Sequence, residues 1–303
     1  MSMKAFVKSE NGFVIVLVAL LLTVFVGFIA LVIDVGSIYL EKNRLQKISD
    51  AAVLAGVQDF TTNYDKALSE INKTIRFNSG EPENFSINTN ASYTFLEVIG
   101  RRKATFFFAK ALGIEEPIVE ARARVELYPL SAGEGAVPIG LQASGNLTFG
   151  AQQTLMVSES TNGNFGAIAL SGPGARNYEN DFKYGYEDVL TVGSILNTET
   201  GKMSGPTESA VNHRVSQCPN ATYLDFPPNC SRVILVPIVE PVKDGSNKIS
   251  KVKVIGFASF FLEGASSNNN NAEVTGRFIR KISKGESSSS QANFGTYSFK
   301  FTQ

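Results

Sequence analysis

Few residues in this 303-residue chain are of types that could do chemistry, and their spacing narrows what that chemistry would be. His213 is the only histidine, so no multi-histidine metal centre or catalytic array can be built within one chain. It sits in SAVNHR (209–214), a polar turn or short helix with nothing nearby to make it a base. The only cysteines, Cys218 and Cys230, bracket PNATYLDFPPN, a polar, proline-containing loop. Outside the cytosol such a pair would close the loop as a disulfide. In the cytosol it would stay as two thiols, and no neighbouring ligands complete a zinc site. The densest acidic and aromatic run is NYENDFKYGYEDV, where Glu179, Asp181, Glu187 and Asp188 interleave with three tyrosines. Its carboxylates could bind calcium and its rings could stack a sugar, but the regular Asp-x-Asp-x-Asn-Gly order is missing. Tyr178, Asp181, Tyr184 and Tyr186 are therefore the candidate ligand loop, beside the plainer reading of a solvated acidic loop. Neither Gly-x-Ser-x-Gly nor a phosphate-binding Gly-rich Lys motif occurs. The expectation is a protein that is not an enzyme, with no catalytic residue, no metal and no cofactor.

The elements that must carry these residues begin with an uncharged run, residues 13–33, in which Thr23 is the only polar side chain. As a helix it reaches about 31 Å, close to a bilayer's hydrocarbon thickness. A buried soluble helix rarely stays apolar around its whole circumference. Lys4 and Lys8 precede the run as in a secretory signal, but signal cores are shorter, about 7–15 residues, and Gly27-Phe28-Ile29-Ala30 is a poor cleavage site. The run reads as a transmembrane helix. Beyond it, Ile38, Leu45, Ile48, Ala52 and Ala55 fall on one helical face, with Glu41, Lys42, Lys47, Asp50 and Asp59 away from or beside that line. No proline interrupts residues 13–56, so one helix is expected to leave the membrane and continue over 34–60 as an amphipathic stem. The five residues form its candidate interaction face. Ala51, Ala52, Ala55 and Gly56 would permit close approach of another helix, from a neighbouring stem in an oligomer or from the same chain.

Several motifs in this stretch carry a resemblance. Asn11-Gly12, the apolar run, Asp34-Val35-Gly36, Tyr39-Leu40, Asn43-Arg44-Leu45-Gln46 and Asp50-Ala51-Ala52-Val53-Leu54-Ala55-Gly56 occur in the order found in TadE/TadG-like Flp pilus assembly proteins. The segment resembles that family's N-terminal part over about 50 residues, on its motifs and not on general helical spacing. The resemblance implies a membrane-anchored component of pilus assembly whose partners are other pilus-assembly or pilin-like proteins. Processed pilin-like members are cut after a Gly with a Glu five residues beyond. Gly12 and Phe13 would form that junction here, but the fifth residue after Gly12 is Leu17, so the segment is expected to stay as an anchor.

Lysine plus arginine and aspartate plus glutamate both count 28, giving a formal net charge of zero. Arg101-Arg102-Lys103 is too short a basic run to imply nucleic acid as a partner. Counting Lys42, Arg44 and Lys47 against Lys4 and Lys8 favours the C-terminal side inside. The short N-terminal tail, the cysteine pair and the resemblance favour the opposite: a single-pass protein of the cell membrane, N-terminus cytoplasmic and C-terminal domain extracytoplasmic.

After the stem, YDKALSEINKTIRF (64–77) reads as a short helix capped near Asn63 or Asp65. Strands follow around a turn at 88–90, then a short helix, ATFFFAKAL, ending at Gly113. Phe106, Phe107 and Phe108 cannot share one helix face. They are expected to pack between sheet and stem, a membrane-touching role being the alternative. IVEARARVEL (118–127) alternates strictly and is the clearest strand. Residues 61–128 thus form a small α+β module and 129–135 a linker. In 136–303, short strands are expected at 137–141, 153–158, 165–170, 189–196, 232–239, 251–262, 272–282 and 296–301. Polar loops, 266–271 and 287–290, separate the last of them. The fold class is α+β: an N-terminal tail (1–12), transmembrane helix (13–33), stem (34–60), small module, then a β-rich sandwich- or barrel-like extracytoplasmic domain. The expected function is a structural component of Flp/Tad-type pilus assembly presenting that domain for protein contacts. The alternative is a membrane-anchored surface adhesin or glycan-binding module unrelated to pili.

Overall fold

The computed structural model describes residues 11–143, 147–157, 165–242, 249–268 and 271–302. A single helix, α1 (Asn11–Phe60), carries both the apolar run and the stem without a break. The candidate processing junction between Gly12 and Phe13 falls in its first turn, and residues 1–10 of the expected tail lie outside the described residues. After a short turn, α2 (Tyr64–Phe77) folds back along the stem. The Asn63 side chain accepts a hydrogen bond from the Lys66 N–H and so satisfies one otherwise orphaned donor.

Three strands follow: β1 (Phe85–Thr89), β2 (Phe95–Lys103) and the long β3 (Ile118–Gly133). They pair antiparallel in chain order. Val119, Ala121, Ala123, Val125 and Leu127 of β3 are buried on one face, as its alternation requires. That face meets Ile48, Val53, Val57 and Phe60 of α1 and Ala67, Ile71 and Ile75 of α2.

The β-rich part contains β4 (Ile139–Gln142), β5 (Gln152–Val157), β6 (Phe165–Ala169), α3 (Ala175–Tyr184), β7 (Leu190–Thr191), β8 (Ile195–Thr198) and α4 (Ser204–Gln217). Then come β9 (Val233–Pro241), β10 (Lys251–Asn268), β11 (Asn271–Ile279), β12 (Lys281–Ile282), β13 (Glu286–Ser287) and β14 (Thr296–Thr302). Its pairings close a ring. β4 joins β6, β6 joins β8, β8 joins β10, β10 joins β9, and β9 returns parallel to β4. The result is a five-strand barrel, so of the two expected architectures the barrel is the one formed. β11 and β5 extend the sheet from β10. Tyr178 and Phe182 of α3 and Ala210 and Val211 of α4 join the barrel's apolar core.

Several local expectations are corrected. Residues 129–135 are not a linker, because β3 runs through Pro129 to Gly133 and pairs with β7 and β13. Pro129 is tolerated because its carbonyl, not an N–H, is what the neighbouring Ser288 N–H requires. Nor is the first module confined to 61–128. The stem supplies its helical layer, and β14 returns to pair with β3 from Arg124 to Pro129. Residues 189–196 form two short strands, broken where Gly193 adopts φ +97°. ATFFFAKAL contains only a 3-10 turn, Ala109–Leu112. Of the expected polar loop 266–271, residues 266–268 belong to β10 and Asn271 to β11, Asn268 pairing with Asn271, and 269–270 lie outside the described residues.

Ending the chain before Thr296 removes β14 and strips β3 of one partner strand. The expected outcome is rapid proteolysis within residues 118–133 of the membrane-extracted protein, and a cleavage pattern equal to that of the full chain would overturn it.

Candidate membrane-proximal interface

From Val14 to Ile33 the large apolar side chains of α1 point outward on every side, with exposures from 40 % at Ile33 to 70 % at Val32. None of the other described residues covers them. Thr23, the one polar side chain in this stretch, donates its hydroxyl to the Ala19 carbonyl at 2.8 Å, within the helix itself. The helix is long and apolar enough to cross a membrane.

Asp34 is the first charge after the run, and only 5 % of it is exposed. Its carboxylate accepts the backbone N–H groups of Phe107 (2.7 Å), Phe108 (3.2 Å) and Ala109 (2.7 Å). One turn later, the Ser37 hydroxyl donates to the Thr105 carbonyl at 2.7 Å. Asp34 thus caps the 3-10 turn from another element, satisfying donors that a short turn leaves orphaned. Gly113 closes that turn at φ +76°, a left-handed conformation suited to glycine. Burial of the Asp34 carboxyl opposes ionisation. The N–H groups of Ala109, Phe107 and Phe108 outweigh that effect and hold its pKa below the usual aspartate value.

Higher on the stem, residues of the sequence motifs bind the turn after α2 and the chain's own sheet. Arg44 donates to the Ser79 carbonyl (3.2 Å), and Gln46 donates to the Arg122 carbonyl of β3 (2.8 Å). Leu45 is buried with Ala104, Val119 and Ala121. At Gly56, a Cβ would lie 2.5 Å from Ile71 Cδ1, so α2 can approach α1 this closely only because the side chain is absent.

This geometry corrects the expected interaction face. Leu45, Ile48 and Ala52 are buried in the chain's own core, and Ile38 and Ala55 are half-buried beside them. The face is apolar because it packs on β2, β3 and α2, so it is not open to a neighbouring stem.

The tyrosine-rich run is also corrected. It forms most of α3, where Tyr178 is 1 % exposed and shares a hydrogen bond with the Thr207 hydroxyl at 2.8 Å. Burial pushes its phenol pKa well above the ordinary value. Asp181 accepts from the Ser171 N–H and hydroxyl. Two of the four candidate ligand residues therefore hold the barrel's cap together. Tyr184 is exposed, with its ring edge against His213 at 5.5 Å between centroids, and Tyr186 is half-buried. Among the described residues, no group of three or more His, Cys, Asp or Glu side chains is placed to hold a metal ion.

Cys218 and Cys230 are joined by a disulfide that ties the end of α4 to the approach to β9. Two arginines that drew no attention in the sequence brace this region. Arg214 donates to the carbonyls of Phe182 and Ser231, and burial lowers its pKa to about 10. Arg232 donates to the Leu262 and Ala221 carbonyls and lies over the Phe261 ring. Neither position has a periodicity or motif that would mark it in advance.

Asp34→Ala leaves three backbone donors without their acceptor. The expected outcome at neutral pH is faster amide exchange over residues 107–109 and faster tryptic cleavage after Lys110, with Asp34→Asn intermediate. Because the folded-state pKa is lowered, the clamp's contribution is present above the unfolded aspartate pKa of about 3.9. It is lost as the pH falls through the lower folded value, which the same exchange measurement follows. Gly56→Leu overpacks the α1–α2 contact and should cost about 1–3 kcal/mol, read as a lower unfolding midpoint in detergent.

No curated protein and no solved structure matches the chain. Residues 12–59, which hold the apolar run, Asp34 and the stem, match the family described as putative Flp pilus-assembly TadE/G-like. The N-terminal segment is therefore TadE/G-like.

Proposed function

We propose that the protein is a membrane-anchored structural component of Flp/Tad-type pilus assembly, without catalytic activity. On this reading it holds its barrel domain at a set distance and orientation above the bilayer for contacts with other pilus-assembly or pilin-like proteins. The observation that carries this reading is the absence of a hinge. α1 passes unbroken from the apolar run into a stem whose inner face is buried under β2 and β3. Asp59 stands about 38 Å along the helix from Asp34. There the Thr62 hydroxyl donates to the Arg280 carbonyl, and Lys66 bridges Asp59 and Asp225 at 3.3 and 3.4 Å. Movement of the span is thereby passed to the barrel side of the molecule.

The disulfide supports an extracytoplasmic barrel, since such bonds persist in oxidising compartments. A single pass with the N-terminus in the cytoplasm follows from that placement. With Leu17 where processed pilins carry Glu, the anchor is retained. The adhesin alternative loses Tyr178 and Asp181 to the interior and keeps the exposed Tyr184 and half-buried Tyr186 as its candidate ligand residues.

Deleting the gene is expected to abolish or alter surface fibres while leaving membrane integrity intact. Fibres of normal number, length and attachment would overturn the proposal. In spheroplasts or protoplasts, a membrane-impermeant maleimide should label Cys218 and Cys230 only after reduction. Labelling that requires permeabilisation would reverse the orientation. The N-terminal residue of the membrane-extracted protein should be Met1, whereas Phe13 would indicate prepilin-type processing and a start beyond Ala30 a removed signal.

A further inference from the structure

Of the three phenylalanines before the 3-10 turn, Phe106 is half-buried, whereas Phe107 and Phe108 do not fill the space between sheet and stem. Phe107 is 65 % exposed and Phe108 43 %, and the same turn and its exit expose Leu112 (80 %), Ile114 (53 %) and Ile118 (67 %). Large apolar side chains on a soluble surface are ordinarily scattered, and a contiguous group marks a contact site. The depth of this group is set by Asp34. Its carboxylate binds the backbone of Phe107, Phe108 and Ala109, so that backbone lies level with the residue that ends the apolar run. The headgroup zone of a bilayer extends about 5–8 Å beyond the hydrocarbon on each side. The turn therefore lies within that zone when α1 crosses the membrane.

We propose that residues 107–118 form a second contact with the bilayer that α1 spans, an interfacial wedge whose apolar side chains enter the headgroup–acyl boundary. The inference rests on α1 being a membrane span. Its composition suits the boundary: phenyl rings and aliphatic side chains face outward, and the exposed Lys103 is a headgroup-level cation. Lys110 pairs with Glu116 at 3.8 Å, and the exposed Glu115 sits among them as a charge for the headgroup layer. Tyr39 on α1, 66 % exposed, supplies an interfacial ring just beyond Asp34. A protein partner or second copy would have to displace lipid from a site that the span already brings to the membrane. With contacts at α1 and at the turn, the module meets the bilayer at two points, which sets its tilt.

The chain has no tryptophan, so single substitutions give unambiguous emission. The full protein would be placed in nanodiscs of phosphatidylcholine and phosphatidylglycerol, with lipids brominated either high on the acyl chains or near their ends. Phe107→Trp is expected to emit at shorter wavelength than an exposed tryptophan and to lose most intensity with the shallow bromines. Leu112→Trp gives the same reading from a side chain outside the core, should Phe107→Trp disturb the turn. Leu21→Trp should be quenched most by the deep bromines and reports the span itself, while Leu224→Trp, at the far end of the stem, should be red-shifted and unquenched. If Leu21→Trp is quenched but both turn variants are red-shifted and unquenched, the wedge is overturned and the span stands. Short-wavelength emission at the turn without bromine quenching assigns the surface to a protein partner and also overturns it. Absence of quenching in Leu21→Trp removes the span, and the wedge with it.

Discussion

The burial of the stem's apolar line under the first sheet is the interaction on which the other features depend. Leu45, Ile48, Val53, Val57 and Phe60 are each 3 % exposed or less. Burying a side chain of this kind contributes about 1.5–3 kcal/mol, so the five together far exceed what a hydrogen-bonded tether supplies. A helix leaving a bilayer on a flexible linker would carry no information about orientation. Here the same helix is both the membrane segment and one wall of a folded core. Gly56 and Ala52 let α2 and the sheet approach closely enough to seal that wall, which gives the Asp-Ala-Ala-x-Leu-Ala-Gly stretch a packing role.

Much of the architecture was legible where a local period or punctuation encodes it. The 50-residue helix followed from an apolar run without breakers, and β3 followed from strict alternation across 119–125. Most strands of the barrel were visible as short apolar runs between turn residues. What could not be read was what each face meets. The line from Ile38 to Ala55 is visibly apolar, but sequence spacing does not say whether a sister helix or the chain's own sheet covers it. The Asp34 clamp joins residues about 73 positions apart through backbone N–H groups, which leave no trace in residue type. In α3, charged and tyrosine residues mask the inward Tyr178, Asp181 and Phe182, whose spacings of three and four are helical. A buried Asp held by Ser171 looks, in sequence, like any other acidic loop residue.

The two sheets are not separable pieces. β3 begins against β2 under the stem and ends against β7 and β13, and the buried hydroxyls of Ser259 on β10 and Thr296 on β14 meet at 2.8 Å. Phe294 fills the space that a side chain at Gly256 would occupy, bringing the approach to β14 directly onto β10. Packing of this kind transmits displacement, because protein interiors are dense and compress little.

The return of β14 to β3 also sets an order of events during synthesis. Thr296–Thr302 is the last described strand, yet it completes the membrane-side sheet, beside a helix made at the outset. The span can enter the bilayer and the barrel strands can pair while β3 still lacks this neighbour. Closure of the first sheet waits until Thr296–Thr302 has emerged, long after β3, and contacts this distant in sequence form late. A chain arrested during export would therefore present an open β3 edge from Arg124 to Pro129, a mark by which quality-control proteases could tell unfinished molecules from completed ones.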